Sequence, residues 1–340
     1  RDLHSFPTRR SSDLDGPYLL DRLKELHQAC FHGRDVLTVG ECPCLSIDRV
    51  KEVTSGDEPL LSMVFQFGHM SLDEIPGKGK WDCKPLDIIA LKKYFKTMQT
   101  QLHHQGWNSL FWSNHDQVRA VSRFGSEIWR YESQTLLSTL LFGLEGTPYI
   151  YQGEEIGMTG IRLNRVSEYK DIETLNMAKE KRLLGWTEDQ ILQSVYKKGR
   201  DNSRTPMQWN DSHQAGFTSG IPWFFVNPNY KTLNAHHDIQ SNPSIYRYTQ
   251  QLIQIRKQYV SLIQGSFQLL FEADEHLFCY ERECNREGLF VIANFSPYPK
   301  EAVLPHYATQ KSLIQNDPTF IYTQDVLLPP YFAAIYYYKR

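Results

Sequence analysis

Short apolar runs alternate with amphipathic stretches between residues 19 and 151, and that alternation leaves few folds open. Residues 36–40, 60–67, 109–112 and 148–151 read as short strands buried on both faces. Residues 19–30, 47–53, 87–103 and 132–142 repeat apolar positions every three or four residues, the spacing of a helix packed on a sheet. Gly33 ends the first of these helices. Strands joined by helical crossovers make a parallel α/β sheet. No Gly-x-Gly-x-x-Gly stands at a strand-to-helix turn, which disfavours a dinucleotide-binding sheet. Three of the four strands end in carboxylates or amides, as strands do at the mouth of a β/α barrel.

The clearest such end is Asn114-His115-Asp116, which follows the apolar run 109–112. Three polar groups there pack poorly in a core and face an active site if the sheet belongs to a barrel. The alternative is a polar turn that starts a helix. Glu41 closes the strand 36–40, and Gln152-Gly153-Glu154-Glu155 closes the strand 148–151. Residues 158–206 form a polar, helix-rich excursion on the Glu154 side, and 209–229 are loop-like. A helix covers 244–259. From Gly265 the pattern changes to short strands between turns, with 267–270, 277–280, 289–294 and 333–338 as the plainest. The tyrosines of that region read as strand packing rather than a sugar site. The expected fold class is α/β: the C-terminal half of a (β/α)8 barrel over residues 15–262, then a small antiparallel β-sandwich domain over 263–340.

Composition excludes several partners. The net charge is −2 with both signs mixed along the chain, so neither nucleic acid nor an anionic membrane is expected. No apolar run approaches the length of a membrane span. The six cysteines are scattered, and Cys42-Pro43-Cys44 has no second pair at zinc spacing. Free thiols in a reducing cytoplasm are the expectation. No metal ligand set and no cofactor is expected. Residues 1–14 lack periodicity and an apolar signal core. From His4 onward they resemble a translated sequencing-library adapter, so this segment is taken as non-native.

Two carboxylates at strand ends suit glycoside hydrolysis, which needs an acid for the leaving oxygen and negative charge for an oxocarbenium-like transition state. Glu41 follows an apolar strand, so desolvation is expected to raise its pKa and keep it protonated. Asp116, beside His115, can grip sugar hydroxyls.

Several stretches carry a family resemblance. Val39-Gly40-Glu41, Asn114-His115-Asp116 and the run from Gly146 to Met158 resemble motifs of the α-amylase superfamily of retaining glycoside hydrolases. Lys198-Gly199-Arg200-Asp201-Asn202-Ser203-Arg204-Thr205-Pro206-Met207-Gln208-Trp209 is similar to a motif of its oligo-1,6-glucosidase group, which also includes dextran glucosidase and trehalose-6-phosphate hydrolase. The resemblance runs from Asp15 to the C-terminus and implies barrel strands 5–8. It implies Glu41 as general acid/base, Asp116 as transition-state stabiliser, and His115 and Arg200 as substrate-binding residues, with Arg200 fixing the non-reducing-end glucose. Read from the residues alone, Arg200 is a loop ion pair with Asp201 or Glu155.

The resemblance also implies a nucleophilic aspartate in a Gly-Phe-Arg-x-Asp-type motif, and nothing in this chain matches it. The expectation is therefore an N-terminally truncated retaining exo-α-glucosidase, acting on short α-1,6-linked oligosaccharides and inactive as it stands. The calcium loop of the family would lie in the missing half, and the full protein is expected to be a cytoplasmic monomer. Trehalose-6-phosphate hydrolase is the close alternative, with Lys78 and Lys80 as its phosphate candidates. A non-catalytic ancillary protein on an amylase-like scaffold is the alternative of another class. Departures from the group are Cys42 and Cys44 around Pro43, Gly68 in place of a Glu, and Val118 in place of a Pro.

Overall fold

The computed structural model describes residues 15–43, 45–306 and 312–339. The expectations for residues 1–14 and for Cys44 fall outside these.

Four strands, β1 (Val39–Glu41), β2 (Met63–Phe65), β3 (Asn108–Leu110) and β4 (Thr147–Pro148), form one sheet in the order β1-β2-β3-β4. Every pairing is parallel, with Glu41 level with Phe65, Phe65 with Ser109, and Ser109 with Thr147. Order and direction follow the chain, as helical crossovers require. The strands are shorter than the apolar runs that signalled them. The first run differs most: only Val39–Glu41 is strand, Val36, Leu37 and Val39 are exposed, and Glu41 is the strand's last residue rather than its successor. No segment among the described residues covers these side chains, so apolar composition alone did not bury them.

The crossover helices form where the periodicity predicts. The helix Ile88–Leu102 begins at Asp87, whose carboxylate accepts from the Ala90 amide at 2.9 Å. It buries Leu91, Phe95, Met98 and Leu102 against the sheet. Helix Arg130–Gly143 is buried along nearly its whole length because it has sheets on two sides.

The C-terminal region has strands β5 (Ser266–Leu270), β6 (Leu277–Cys284), β7 (Glu287–Asn294), β8 (Lys300–Val303), β9 (Ser312–Gln315), β10 (Asp325–Leu328) and β11 (Ala333–Lys339). Five make an antiparallel sheet, β5-β6-β7-β11-β9, and β8 and β10 make a two-stranded ribbon. Strand alternation divides the buried residues between two cores. Leu289, Val291 and Ala293 of β7 point to the core that holds Leu136 and Leu140 of helix Arg130–Gly143. Phe290 and Ile292 point to the other core, with Leu304, Val326 and Leu328 around the ribbon. Tyr280 is fully buried and donates to the Leu140 carbonyl at 2.7 Å, so this tyrosine is strand packing.

Buried polar side chains fasten the sheet to the α/β part. The Lys92 ammonium donates to the carbonyls of Phe271, Asp274 and Leu277 at 2.5, 2.6 and 3.0 Å. Arg282, fully buried, reaches Gln99 and the Glu145 carboxylate at 2.5 and 3.2 Å. Arg256 donates to the carbonyls of Phe142, Leu144 and Gly146. The apolar core and this network both run across residue 263, so the two parts pack as one body.

Candidate active site

At the C-terminal end of the parallel sheet His115, Asp116 and Arg200 come together, with Glu41 at the same end of β1. Beyond β3, Phe111 and Trp112 stay buried and Ser113 follows. Asn114 then folds a tight turn: its side-chain oxygen accepts from the Asp116 amide at 2.8 Å, and its carbonyl from the Gln117 amide at 3.2 Å. The turn lifts the Asp116 carboxylate to a half-exposed position. Arg204 donates to Asp116 Oδ1, and its Nε donates to the His115 carbonyl at 2.9 Å. His115 is exposed, with Nε2 at 3.9 Å from Asp116 Oδ1. His115 and Asp116 thus share a cationic clamp that the sequence reading did not single out. The signal lay in the motif itself, four residues after Arg200.

Arg200 lies on the other side of the same carboxylate, its Nη1 at 3.9 Å from Asp116 Oδ2. It does not pair with Asp201 or Glu155, the partners its sequence neighbourhood offered. It makes a two-pronged contact with Asp171, at 3.1 and 2.5 Å, and lies 3.3 Å from Glu173. Asp201 instead accepts from the backbone amides of Lys170 and Asp171 at 2.7 and 2.9 Å, which holds that loop against Arg200. Burial alone would raise the Asp171 pKa. The Arg200 hydrogen bonds and charge outweigh it and hold the carboxyl below its usual range. No local spacing announces Asp171 as the anchor. Lys198, fully buried, meets Asp73 at 2.6 Å and pins the excursion to the sheet end.

The desolvated carboxyl group is Glu154, not Glu41. Glu41 is exposed on its edge strand, contrary to the expectation of a desolvated acid. Glu154 is buried, with its pKa raised to about 7 by loss of hydration. Ser113 donates to Glu154 Oε1, and the Tyr151 amide approaches Oε2 at 3.4 Å. Arg119, fully buried beside it, donates to the carbonyls of Gln152 and Ser203, and its guanidinium stacks 5.0 Å from the centre of the Tyr151 ring. Glu154 thereby ties the β4 end to Ser113, one residue before the Asn-His-Asp turn.

Two departures find a physical account. A Cβ at Gly68 would stand 2.4 Å from the Tyr94 ring, so that ring occupies the space a side chain would need. Val118 is fully buried. Lys80 is held by Glu173 at 2.8 Å, and Glu173 also contacts Arg200.

Residues 3–265 match the family model for the alpha amylase catalytic domain. The oligo-1,6-glucosidase of Bacillus cereus is 45% identical over 332 residues, spanning 96% of this chain and 59% of that protein. The trehalose-6-phosphate hydrolase of Bacillus subtilis is 38% identical, spanning 96% and 59%. The crystal structure of Bacillus licheniformis trehalose-6-phosphate hydrolase superposes with a TM-score of 0.90 at 38% identity, over 96% of this chain and 60% of that one. Isomaltulose synthase from Klebsiella superposes equally well, with a TM-score of 0.90 at 31% identity over 97% and 61%. The chain thus spans about three-fifths of the length of these relatives. With its parallel sheet, strand-end carboxylates and C-terminal antiparallel sheet, the chain belongs to the α-amylase family of glycoside hydrolases.

Proposed function

We propose that this chain supplies the acid/base and transition-state-stabilising side of a retaining exo-α-glucosidase site. The substrates are short α-glucosides, with α-1,6-linked isomalto-oligosaccharides foremost. The observation that supports this reading is the cluster of His115, Asp116, Arg200 and Arg204 at the sheet end that also carries Glu41. Asp116 accepts hydroxyls of the glucose ring and strengthens those bonds as positive charge develops at the anomeric centre. His115 bonds the same ring. Arg200, braced by Asp171, closes the non-reducing end.

In the first step an aspartate supplied by sequence outside this chain attacks the anomeric carbon. Glu41 gives its proton to the leaving oxygen as the glycosidic bond breaks. In the second step Glu41 takes a proton from water, whose oxygen displaces the aspartate and releases glucose with retained configuration. In this proposal the missing aspartate comes with the other half of a (β/α)8 barrel, whose strands would flank β1 and β4. The chain as it stands is then inactive. The five free thiols among the described residues, Cys30, Cys42, Cys83, Cys279 and Cys284, suit a reducing cytoplasm. The same residues contain no helix long and apolar enough to cross a membrane.

The test is hydrolysis of isomaltose by the full-length protein, with and without Glu41→Gln. Glucose release that the substitution abolishes is expected, and no release by the isolated chain. Unchanged turnover by Glu41→Gln would remove the acid/base assignment. A second reading, hydrolysis of trehalose 6-phosphate, draws on the similarity to trehalose-6-phosphate hydrolases, although its candidate Lys80 is already paired with Glu173. Preference for the phosphorylated disaccharide over isomaltose selects it.

A further inference from the structure

The opposite end of the sheet carries a cluster that the glucosidase reading does not use. Helix Leu19–Leu26 passes into a π-turn, His27–Phe31, closed by the His32 amide donating to the His27 carbonyl at 2.8 Å. Residues five apart lie on different faces of an α-helix. The wider winding of a π-turn brings them onto the same face, and such turns recur at functional sites. Here it faces His27 and His32 toward Glu58, in the loop after helix Ile47–Thr54. His32 Nδ1 lies 3.0 Å from Glu58 Oε2, and the ligand atoms of all three residues lie within 4.8 Å of one another. His27 Nδ1 is buried and has no hydrogen-bond partner among the described residues. A hollow of about 250 Å³ adjoins them, lined also by Phe31, Arg34, Thr38 and Asp57.

We propose that His27, His32 and Glu58 bind a divalent transition-metal ion, zinc by preference. Two imidazoles and one carboxylate form a common zinc donor set. Bonds of about 2.0–2.1 Å in a tetrahedral site place neighbouring donors roughly 3.4 Å apart. The observed spread brackets that spacing, and the exposed His32 and Glu58 side chains are free to contract onto an ion. The fourth position is open to water through the hollow. The site lies at the Thr38 end of β1, whereas Glu41 closes the other end. The ion therefore acts on structure rather than on sugar chemistry. Helix Leu19–Leu26 is only partly buried, through Leu19, Leu20 and Leu23, and metal binding ties its C-terminal turn to the loop that enters β2. As an exposed ion pair, His32 and Glu58 alone would do little of this.

The experiment is calorimetric titration of zinc chloride into the purified chain and into His27→Gln and His32→Gln variants, with melting curves in zinc and in EDTA. The wild type is expected to bind one ion, and each substitution to weaken binding by about tenfold or more. Zinc raises the melting temperature of the wild type and not of the variants. Cobalt(II) gives the visible absorption of a tetrahedral nitrogen–oxygen site, lost in both variants. Should a variant misfold, the wild-type histidine ring signals decide. Zinc must shift His27 and His32 ahead of the neighbouring pairs His103–His104 and His236–His237. Variants that bind zinc as the wild type does, or shifts confined to those other pairs, overturn the proposal.

Discussion

Glu41 and Glu154 lie at the ends of the two outer strands of one parallel sheet, yet they sit in opposite surroundings. Glu41 closes β1 and is exposed. Glu154 follows β4 and is buried against Ser113, Arg119 and the backbone of Tyr151. Edge position in the sheet does not decide exposure. What covers the strand end decides it. The β4 end lies under the excursion 158–206, which reaches back through the Ser203 carbonyl to Arg119. No comparable segment of the described residues covers Glu41. Long-range coverage, which the apolar residues before a carboxyl group do not report, sets how far that group loses its water.

Three substitutions break or sharpen that contrast. The largest effect is expected at Glu154. Its folded pKa of about 7 lies above the ordinary 4.5, so the fold holds a proton that the unfolded chain releases. That contribution is fully present below pH 4.5 and is lost as pH rises through about 7. Glu154→Gln removes the slope and raises stability at pH 8 by on the order of 2–3 kcal/mol relative to the wild type. Urea denaturation from pH 5 to 8 measures it, and a parallel pH dependence in both proteins would contradict the buried-acid assignment.

Asp171 has the opposite sign and a smaller size. Its pKa is held below 3.8, so its contribution is present above that value and disappears as pH falls through the lowered pKa. Asp171→Asn is expected to lose about 1–2 kcal/mol at pH 7 and to flatten the acid limb. Denaturation at pH 7 and pH 3 separates the two expectations. Glu41→Gln is expected to change stability by less than about 0.5 kcal/mol, as for an exposed surface position. A larger loss in thermal melts would mean that Glu41 is buried in solution.

Much of this molecule was legible in its residues. Helical spacing located Ile88–Leu102, Arg130–Gly143 and Ile245–Gln258 to within a few residues, because a helix buries a face defined by local periodicity. Strand lengths were less legible. Runs such as 60–67 stay apolar past the last paired residue, because the flanking segments also pack in the core. Strands β8, β9 and β10 escaped notice, since strands of four residues alternate too briefly to stand out.

The same division holds at the site. Sequence by itself determined which side chains end the parallel strands, Asn114, His115 and Asp116 among them, and only the family resemblance of its motifs placed Arg200 with them. Those facts follow from apolar runs, turn chemistry and motif spacing, all local along the chain. Only the tertiary structure decided that Asp171 braces Arg200, that Arg204 clamps Asp116, and that Glu154 rather than Glu41 loses its water. Each of those depends on contacts across 29 to 88 residues of sequence. Electrostatic surroundings are sums over spatial neighbours, and spatial neighbours are fixed only when the chain closes on itself.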